Sequence, residues 1–366
     1  MSLLREGETV SQTYFVERLL GEGAFGEVYR VRHRFLGRQA MKVFKLVGMT
    51  IDELDRALSE ARILSRIGHP NIIRVYEANV ANVQAGQIGY FTMELVPGGA
   101  LSTFRRSLTA GAFVPVETVI EIIRQVCSGL SVAHRANPPI IHRDIKPQNI
   151  LVGYENDAIR VRLSDFGLAK DVNPLTLQAS TRGTRSFKPP ESLAGDLSDS
   201  CAADVWAVGL CLYWLLTNAY PYVNEDDPPE SIPAYPTHQW VDPSQLNVYV
   251  SPRLDDITRR SLALRPQERY QNASSLLADL DALNIDLKAK PQPGQRLTPN
   301  QHSPTDHNAH QIDRGRQLAL DATALARDCT RLGEAIDLLE QALQIAPSLQ
   351  DGYYSRLCLW RKGVTQ

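Results

Sequence analysis

The first 96 residues carry short apolar runs separated by polar and turn residues, which is the pattern of strands in a half-buried sheet. One segment in this region, Ile51–Ile67, instead repeats its apolar residues at helical spacing and ends at His69-Pro70-Asn71. We therefore predict a small sheet with one helix. The predicted strands are Tyr14–Val16, Val28–Val31, Gln39–Phe44, Ile72–Tyr76 and Gly89–Leu95.

Beyond Pro97-Gly98-Gly99, the apolar residues follow helical spacing as far as Leu283. The predicted helices are Val116–His134, Ala203–Thr217, Asp255–Leu264 and Ala273–Leu283. Strands followed by helices predict an α+β fold with a β-rich part, residues 12–96, and a helical part, residues 97–284.

The pattern changes again after residue 284. Prolines set among polar residues over 285–311 are typical of a linker. Residues 312–366 then return to an alanine-rich helical pattern. We expect a separate helical segment there.

Composition and charge narrow the classes of partner and compartment. The chain of 366 residues is 43% apolar with a net charge of −2, so we expect neither a nucleic acid nor a membrane partner. The five cysteines include no closely spaced pair, which favours a reducing compartment over disulfides or a zinc site. The N-terminus lacks the apolar run of a signal peptide, and we expect a cytoplasmic protein.

One short segment, Ile141–Leu151, concentrates the groups that phosphoryl transfer needs. Asp144 can accept a proton from a hydroxyl, Lys146 can stabilise phosphoryl charge, and Asn149 can bind Mg²⁺. Further along, Asp165 opens an Asp-Phe-Gly triplet and is a second candidate ligand for Mg²⁺.

A glycine-rich stretch near the N-terminus suits a phosphate-binding loop. Gly21, Gly23 and Gly26, followed by Val28, fit G-x-G-x-x-G-x-V, and glycines let backbone N–H groups approach phosphate oxygens. A dinucleotide-binding loop has similar spacing but leads into a helix, whereas Val28–Val31 is predicted to be a strand. The context favours a flap that covers a nucleotide.

Three later elements extend the same pattern. Thr184 and Pro189-Pro190-Glu191 resemble the end of the activation segment of protein kinases, and this resemblance implies that Arg269 is the buried partner of Glu191. Asp204 lies in a D-x-W-x-x-G element that resembles the one anchoring the catalytic loop in that family.

Together and in this order, these motifs resemble the eukaryotic-type Ser/Thr protein kinases over residues 12–284. The resemblance implies the α+β bilobal protein kinase fold, with an N-lobe at 12–96 and a C-lobe at 97–284. It also implies ATP and Mg²⁺ as cofactors and proteins as substrates. Lys146 and Thr184 resemble the Ser/Thr class rather than the tyrosine class.

The resemblance implies roles for individual residues. Lys42 and Glu60 are expected to form the ion pair that holds the lysine against the phosphates, with Asp144 and Lys146 acting in catalysis and Asn149 and Asp165 holding Mg²⁺. The residues implied to bind ATP are Gly21, Gly23, Gly26, Val28, Ala40, Lys42, Met93, Glu94, Val96 and Leu151.

A regulatory role is implied for Arg143, which precedes the catalytic aspartate. An arginine there can pair with a phosphate on the activation segment and order it. We expect autophosphorylation at Ser180 or Thr181.

Two other functions stay open at this point. A nucleotide-binding pseudokinase scaffold is disfavoured because Lys42, Asp144, Asn149 and Asp165 are all present. A small-molecule kinase is disfavoured by the segment ending in Glu191, which forms a peptide-binding ledge in protein kinases.

The C-terminal segment, residues 312–366, resembles a tetratricopeptide repeat. Ala335, Ala342 and Pro347 follow that repeat's pattern at spacings of seven and five residues. One repeat cannot bury its own apolar faces, so either a last helix at 351–362 caps it, the hairpin docks on the kinase, or the array is longer. We expect this segment to bind a protein partner.

Overall fold

A computed structural model of the protein describes two compact units. The described residues are 2–23, 26–45, 61–62, 64–84, 86–108, 113–155, 158–166, 187–193, 200–221, 240–283, 317–319, 321–322, 325, 331–345, 357 and 360. The first unit comprises Met1–Ser102 and Phe113–Ile285, and the second comprises Thr103–Ala112 and Asp286–Gln366.

The first unit begins with a six-stranded antiparallel sheet in the order β1-β2-β3-β4-β6-β5. Its strands are β1 (Thr9–Val10), β2 (Tyr14–Gly23), β3 (Gly26–His33), β4 (Gly37–Lys45), β5 (Val75–Val83) and β6 (Gly86–Met93). The predicted strand at Ile72–Tyr76 is displaced, because Ile72 makes only an isolated bridge to Leu163 and the strand itself begins at Val75. β5 lies at the edge of the sheet, and Ala81 is its only buried residue, so it lacks the apolar alternation of a half-buried strand.

The two faces of the sheet have different roles. On one face, Tyr29, Met41 and Val43 belong to a buried cluster that also includes Leu3 and Leu4. Because side chains alternate along a strand, Val28, Ala40 and Lys42 lie on the opposite face. This is the face on which the sequence places the nucleotide.

The rest of the first unit is mainly helical. Helix α1 (Leu101–Leu108) begins in the first unit, and its residues from Thr103 onward belong to the second. The further elements of the first unit are α2 (Val116–His134), the hairpin of β7 (Ile150–Glu155) and β8 (Ala158–Leu163), α3 (Pro190–Leu193), α4 (Cys201–Thr217), α5 (Pro243–Leu246), α6 (Pro252–Ser261) and α7 (Ala273–Asp281). The helix predicted at Asp255–Leu264 begins earlier, because Ser251 caps it by accepting a hydrogen bond from the Leu254 amide and Pro252 occupies its first turn.

The second unit has its own core of buried apolar residues. Helix α8 (Leu332–Ile345) packs Ala335, Leu339 and Ala342 against Ala319 and Ala322 of the preceding segment. Leu357 and Trp360 join this cluster. The other residues of the last helix predicted at 351–362 lie outside the described residues. The resemblance to a tetratricopeptide repeat stays a prediction. Among the described helices, none is both long enough and apolar enough to cross a membrane.

Candidate active site

The catalytic loop is held in place by Asp204, a buried residue in the first turn of α4. Its carboxylate accepts hydrogen bonds from the backbone amides of His142 and Arg143, at 2.7 and 2.9 Å. Arg143 adopts a left-handed conformation with φ of 66°, which this double contact stabilises. The expected anchoring role of Asp204 is confirmed.

His134 supports the anchor from the other side. Its Nδ1 accepts a hydrogen bond from the Ala273 amide at 3.2 Å, so its Nε2 carries the proton and donates to Asp204 at 3.0 Å. Sequence reasoning missed this residue. Its partners lie 70 and 139 positions away in the chain, and no local motif marks His134 itself.

Asp144, Lys146 and Asn149 meet as predicted. The Lys146 ammonium lies 3.0 Å from Oδ2 of Asp144. The Asn149 amide donates to the Asp144 backbone oxygen at 2.8 Å and to its Oδ2 at 3.0 Å. The loop thus fixes a carboxylate, an ammonium group and an amide oxygen within one small space.

The two predicted Mg²⁺ ligands lie on adjoining segments. Ser164 donates to the Asn149 backbone oxygen through its amide, at 3.0 Å, and through its hydroxyl, at 3.2 Å, which places the following residue, Asp165, next to Asn149. Asn149 directs its amide nitrogen at Asp144, so its oxygen points away. An amide oxygen and a carboxylate are ligands that Mg²⁺ accepts, and the residues therefore fit the ion.

Lys42 reaches across to Asp165. Its buried ammonium forms an ion pair with the Asp165 carboxylate. It also lies 5.7 Å from the ring centres of Phe44 and of Phe91, at distances typical of cation–π contact. The expected partner Glu60 falls outside the described residues.

The segment after β8 is packed against the catalytic loop. The ring centres of His142 and Phe166 are 4.3 Å apart, and both side chains are buried. His142 Nε2 lies 3.1 Å from the Ser164 carbonyl oxygen and donates to it. The packing links the orientation of Asp165 to that of Asp144.

The predicted adenine-binding residues line the end of the sheet and the connection that follows it. Ala40 and Met93 are register partners in β4 and β6, and Leu151 bridges to Ala100 after the connection. The Glu94 amide donates to the Arg74 carbonyl oxygen at 2.9 Å. Val96 follows, with its carbonyl oxygen accepting from Gly99 at 3.3 Å.

A second contact that sequence reasoning missed joins this connection to β8. The Arg162 guanidinium lies 3.2 Å from both carboxylate oxygens of Glu94. Arg162 precedes Asp165 by three residues, so the ion pair links the connection to the metal-binding segment. A single arginine in a strand carries no signal for such a role.

The glycines of the loop differ in whether the fold requires a glycine at their position. Gly26 has φ of 154°, and a Cβ there would lie 2.1 Å from the Val43 oxygen, so only glycine fits. A Cβ on Gly21 would meet nothing within 4 Å. The fold does not itself require glycine at Gly21, which suits a position kept open for a ligand's phosphates.

Glu191 and Arg269 form the predicted buried pair. Two parallel hydrogen bonds of 2.7 and 2.8 Å join them, and the guanidinium also lies 4.7 Å from the Trp206 ring centre. Ser180, Thr181 and Thr184 lie outside the described residues.

Comparison with known proteins places this site in a family. Residues 14–279 match the model of the protein kinase domain. The chain is 32% identical over 276 residues to the serine/threonine-protein kinase PknB of Mycobacterium leprae, and 33% identical over 277 residues to that of Mycolicibacterium smegmatis. Each match covers 74% of this chain and 43% of the relative, so the chain spans less than half the length of these relatives.

A solved structure agrees with the fold. The crystal structure of the Mycobacterium tuberculosis PknI kinase domain matches with a TM-score of 0.56 and 28% identity, covering 76% of this chain and 98% of that domain. The α+β bilobal kinase fold is therefore confirmed. Since the family model covers well over half of its length, the chain belongs to the protein kinase domain family.

Proposed function

We propose that this protein is a Ser/Thr protein kinase that transfers the γ-phosphate of ATP to hydroxyl groups of proteins. The observation that carries the proposal is the set formed by Asp144, Lys146 and Asn149, with the loop held by Asp204. The names of the relatives specify serine/threonine-protein kinases. Lys146 also belongs to the Ser/Thr pattern of the loop.

In this mechanism, Asp144 orients the acceptor hydroxyl and takes its proton as the phosphoryl group transfers. Lys146, 3.0 Å from Asp144, stabilises the charge of the phosphoryl group next to that hydroxyl. Lys42 binds the phosphates from the sheet side. Asn149 and Asp165 would hold Mg²⁺, which would neutralise phosphate charge.

The test is transfer of radiolabelled phosphate from ATP in the presence of Mg²⁺. We expect Asp144→Ala to reduce incorporation by at least about 100-fold, because general-base catalysis of this kind contributes on that order. Asp256→Ala, on the exposed face of α6, is the control and should retain activity. A wild-type chain that binds ATP but transfers nothing under any activation would favour the pseudokinase scaffold instead.

The same reaction tests autophosphorylation. We propose that Ser180 or Thr181 receives phosphate and that Arg143 then pairs with it. Mass mapping should find phosphate between Asp165 and Glu191. Incorporation confined to other parts of the chain would refute this part of the proposal.

We also propose that residues 312–366 bind a protein partner and that the protein acts in the cytoplasm. The support for a partner is the sequence pattern of this segment, which resembles a repeat whose arrays form protein-binding surfaces. A pull-down with the full chain and cell fractionation test the two statements. A chain recovered in the membrane fraction would contradict the second.

A further inference from the structure

The N-terminal residues 2–4 lie against the sheet although no kinase motif includes them. Leu3 and Leu4 are 6% and 2% exposed and pack in the cluster that contains Tyr29, Met41 and Val43. This cluster is on the face of the sheet opposite the nucleotide side. The segment therefore covers the back of the strands that carry Val28 and Lys42.

Two side chains of β3 accept hydrogen bonds from the backbone amides of this segment. The Leu3 amide donates to Oε2 of Glu27 at 2.7 Å, and the Leu4 amide donates to the Tyr29 hydroxyl at 2.9 Å. Tyr29 in turn donates to the Glu27 carboxylate. The Ser2 hydroxyl lies 2.6 Å from the Tyr29 oxygen and 3.3 Å from Oε2 of Glu27.

The network stabilises a carboxylate that is otherwise costly to bury. Glu27 is only 4% exposed, and a buried carboxylate needs hydrogen-bond donors in place of water. Burial and the bond to Glu27 raise the pKa of Tyr29, so its hydroxyl stays protonated and remains a donor. The Leu3 amide adds a donor to Glu27 beside the Tyr29 hydroxyl, and the Leu4 amide donates to Tyr29 in turn.

The position of Glu27 connects this network to the phosphate loop. Glu27 lies between Gly26, the last glycine of the loop, and Val28, which is on the nucleotide face. It pairs with Glu22 of the loop's first arm and with Val43 of β4. A shift of Glu27 therefore also moves the β3 backbone that directly follows the loop.

We propose that residues 2–4 act as a strap that holds the glycine-rich loop in its nucleotide-binding position through Glu27 and Tyr29. These two side chains are positioning residues, since they act through the loop. The inference rests on the proposed function, because the bound nucleotide is the phosphoryl donor of that reaction. Without the strap, the loop spends less time in the binding position, and apparent affinity falls with that population.

The experiment measures the affinity of the full-length protein for ADP with Mg²⁺ by titration calorimetry. For Glu27→Ala we expect about a tenfold loss of affinity, if the binding-competent population falls to about a tenth. Glu27→Gln keeps an acceptor for the Leu3 amide and should lose less. Tyr29→Phe keeps the ring in the cluster and should lose affinity through its missing hydroxyl alone. Glu6→Ala, an exposed residue of the same N-terminal segment, is the matched control.

Steady-state kinetics and the combination of two changes in one chain distinguish a positioning role from a general loss of stability. KM for ATP should rise while kcat at saturating ATP stays within about twofold, because bound nucleotide restores the loop. A chain lacking residues 2–4 should bind ADP weakly, and Tyr29→Phe should then add little further loss.

The outcomes are distinct. Unchanged affinity in folded Glu27→Ala and Tyr29→Phe, a fall in kcat alone, or additive losses in the shortened chain would each overturn the strap. If a variant binds in proportion to its folded fraction, with unchanged affinity, the residues are structural and the proposal fails. A wild-type chain that binds no ADP would instead overturn the proposed function.

Discussion

At the scale of single residues, Arg269 depends on Glu191. The residue is 1% exposed, and its charge is balanced by the carboxylate to which it donates two hydrogen bonds. Glu191→Ala leaves this charge buried without its carboxylate, which should cost about 3–5 kcal/mol. Denaturant-induced unfolding measures the loss from the shift of the midpoint.

The control is an ion pair on the surface of the same region. Arg265 and Glu268 lie 3.3 Å apart with side chains 79% and 56% exposed. Arg265→Ala should change stability by less than about 1 kcal/mol. If Glu191→Ala costs no more than this control, the buried pair does not stabilise the fold as argued.

Residues of this kind differ in how far sequence predicts them. Glu191 and Arg269 stand in motifs, so their pairing can be expected from the amino-acid sequence alone. Glu27 cannot be assigned in this way, because its partner is the backbone amide of Leu3, and a backbone donor leaves no mark in a sequence. His134 and Arg162 act through contacts distant in the chain, for which a single sequence offers no pattern.

At the scale of elements, the connection after β6 is packed tightly on β7. A Cβ on Gly98 would lie 2.1 Å from the Val152 oxygen, and the Val152 amide donates to the Gly99 oxygen at 2.8 Å. Gly98→Ala must therefore push the connection away from β7, which carries Leu151. We expect a loss of stability of about 1–3 kcal/mol, typical of overpacking, and weaker binding of ADP.

Gly68→Ala is the matched control, since a Cβ there meets nothing within 4 Å. Thermal unfolding and calorimetric titration with ADP measure both effects. Equal behaviour of the two variants would show that the connection can move away from β7 at no cost.

The sequence predicts an element best when its apolar residues repeat over a long stretch and a boundary residue such as proline marks one of its ends. Helix α2 spans Val116–His134 as predicted, because its apolar positions repeat along its whole length and Pro115 precedes it. The hairpin of β7 and β8 is absent from the predicted elements. Its first strand begins at Ile150, inside the segment Ile141–Leu151, and the residues of that segment indicate catalysis rather than a strand. β1 has only two residues, too few for any periodicity.

At the scale of the whole molecule, the chain contains two compact units with separate cores. Every predicted site residue that the structure describes lies in the first unit, while α8 and its cluster lie in the second. Sequence composition predicts a linker at 285–311, and this stays a prediction because those residues lie outside the described ones. It does not indicate that residues 103–112, which lie within the kinase domain, group with the tail.

This grouping makes a prediction for a substitution in the tail. Leu339 is fully buried in the core of the second unit, and Leu339→Ala should destabilise that core by about 2–5 kcal/mol. Because residues 103–112 belong to the same unit, their amide hydrogens should exchange faster in the variant, together with those of α8. The amides of α2, in the first unit, should keep their wild-type rates.

Hydrogen exchange followed by mass spectrometry on the full chain measures this difference. Gln341→Ala, on the exposed face of the same helix, should leave all three regions unchanged. If residues 103–112 exchange at the wild-type rate while α8 opens, that segment is stabilised by the first unit alone. If α2 opens along with α8, the two cores unfold as one, and substitutions in the tail would be expected to alter the kinase site directly.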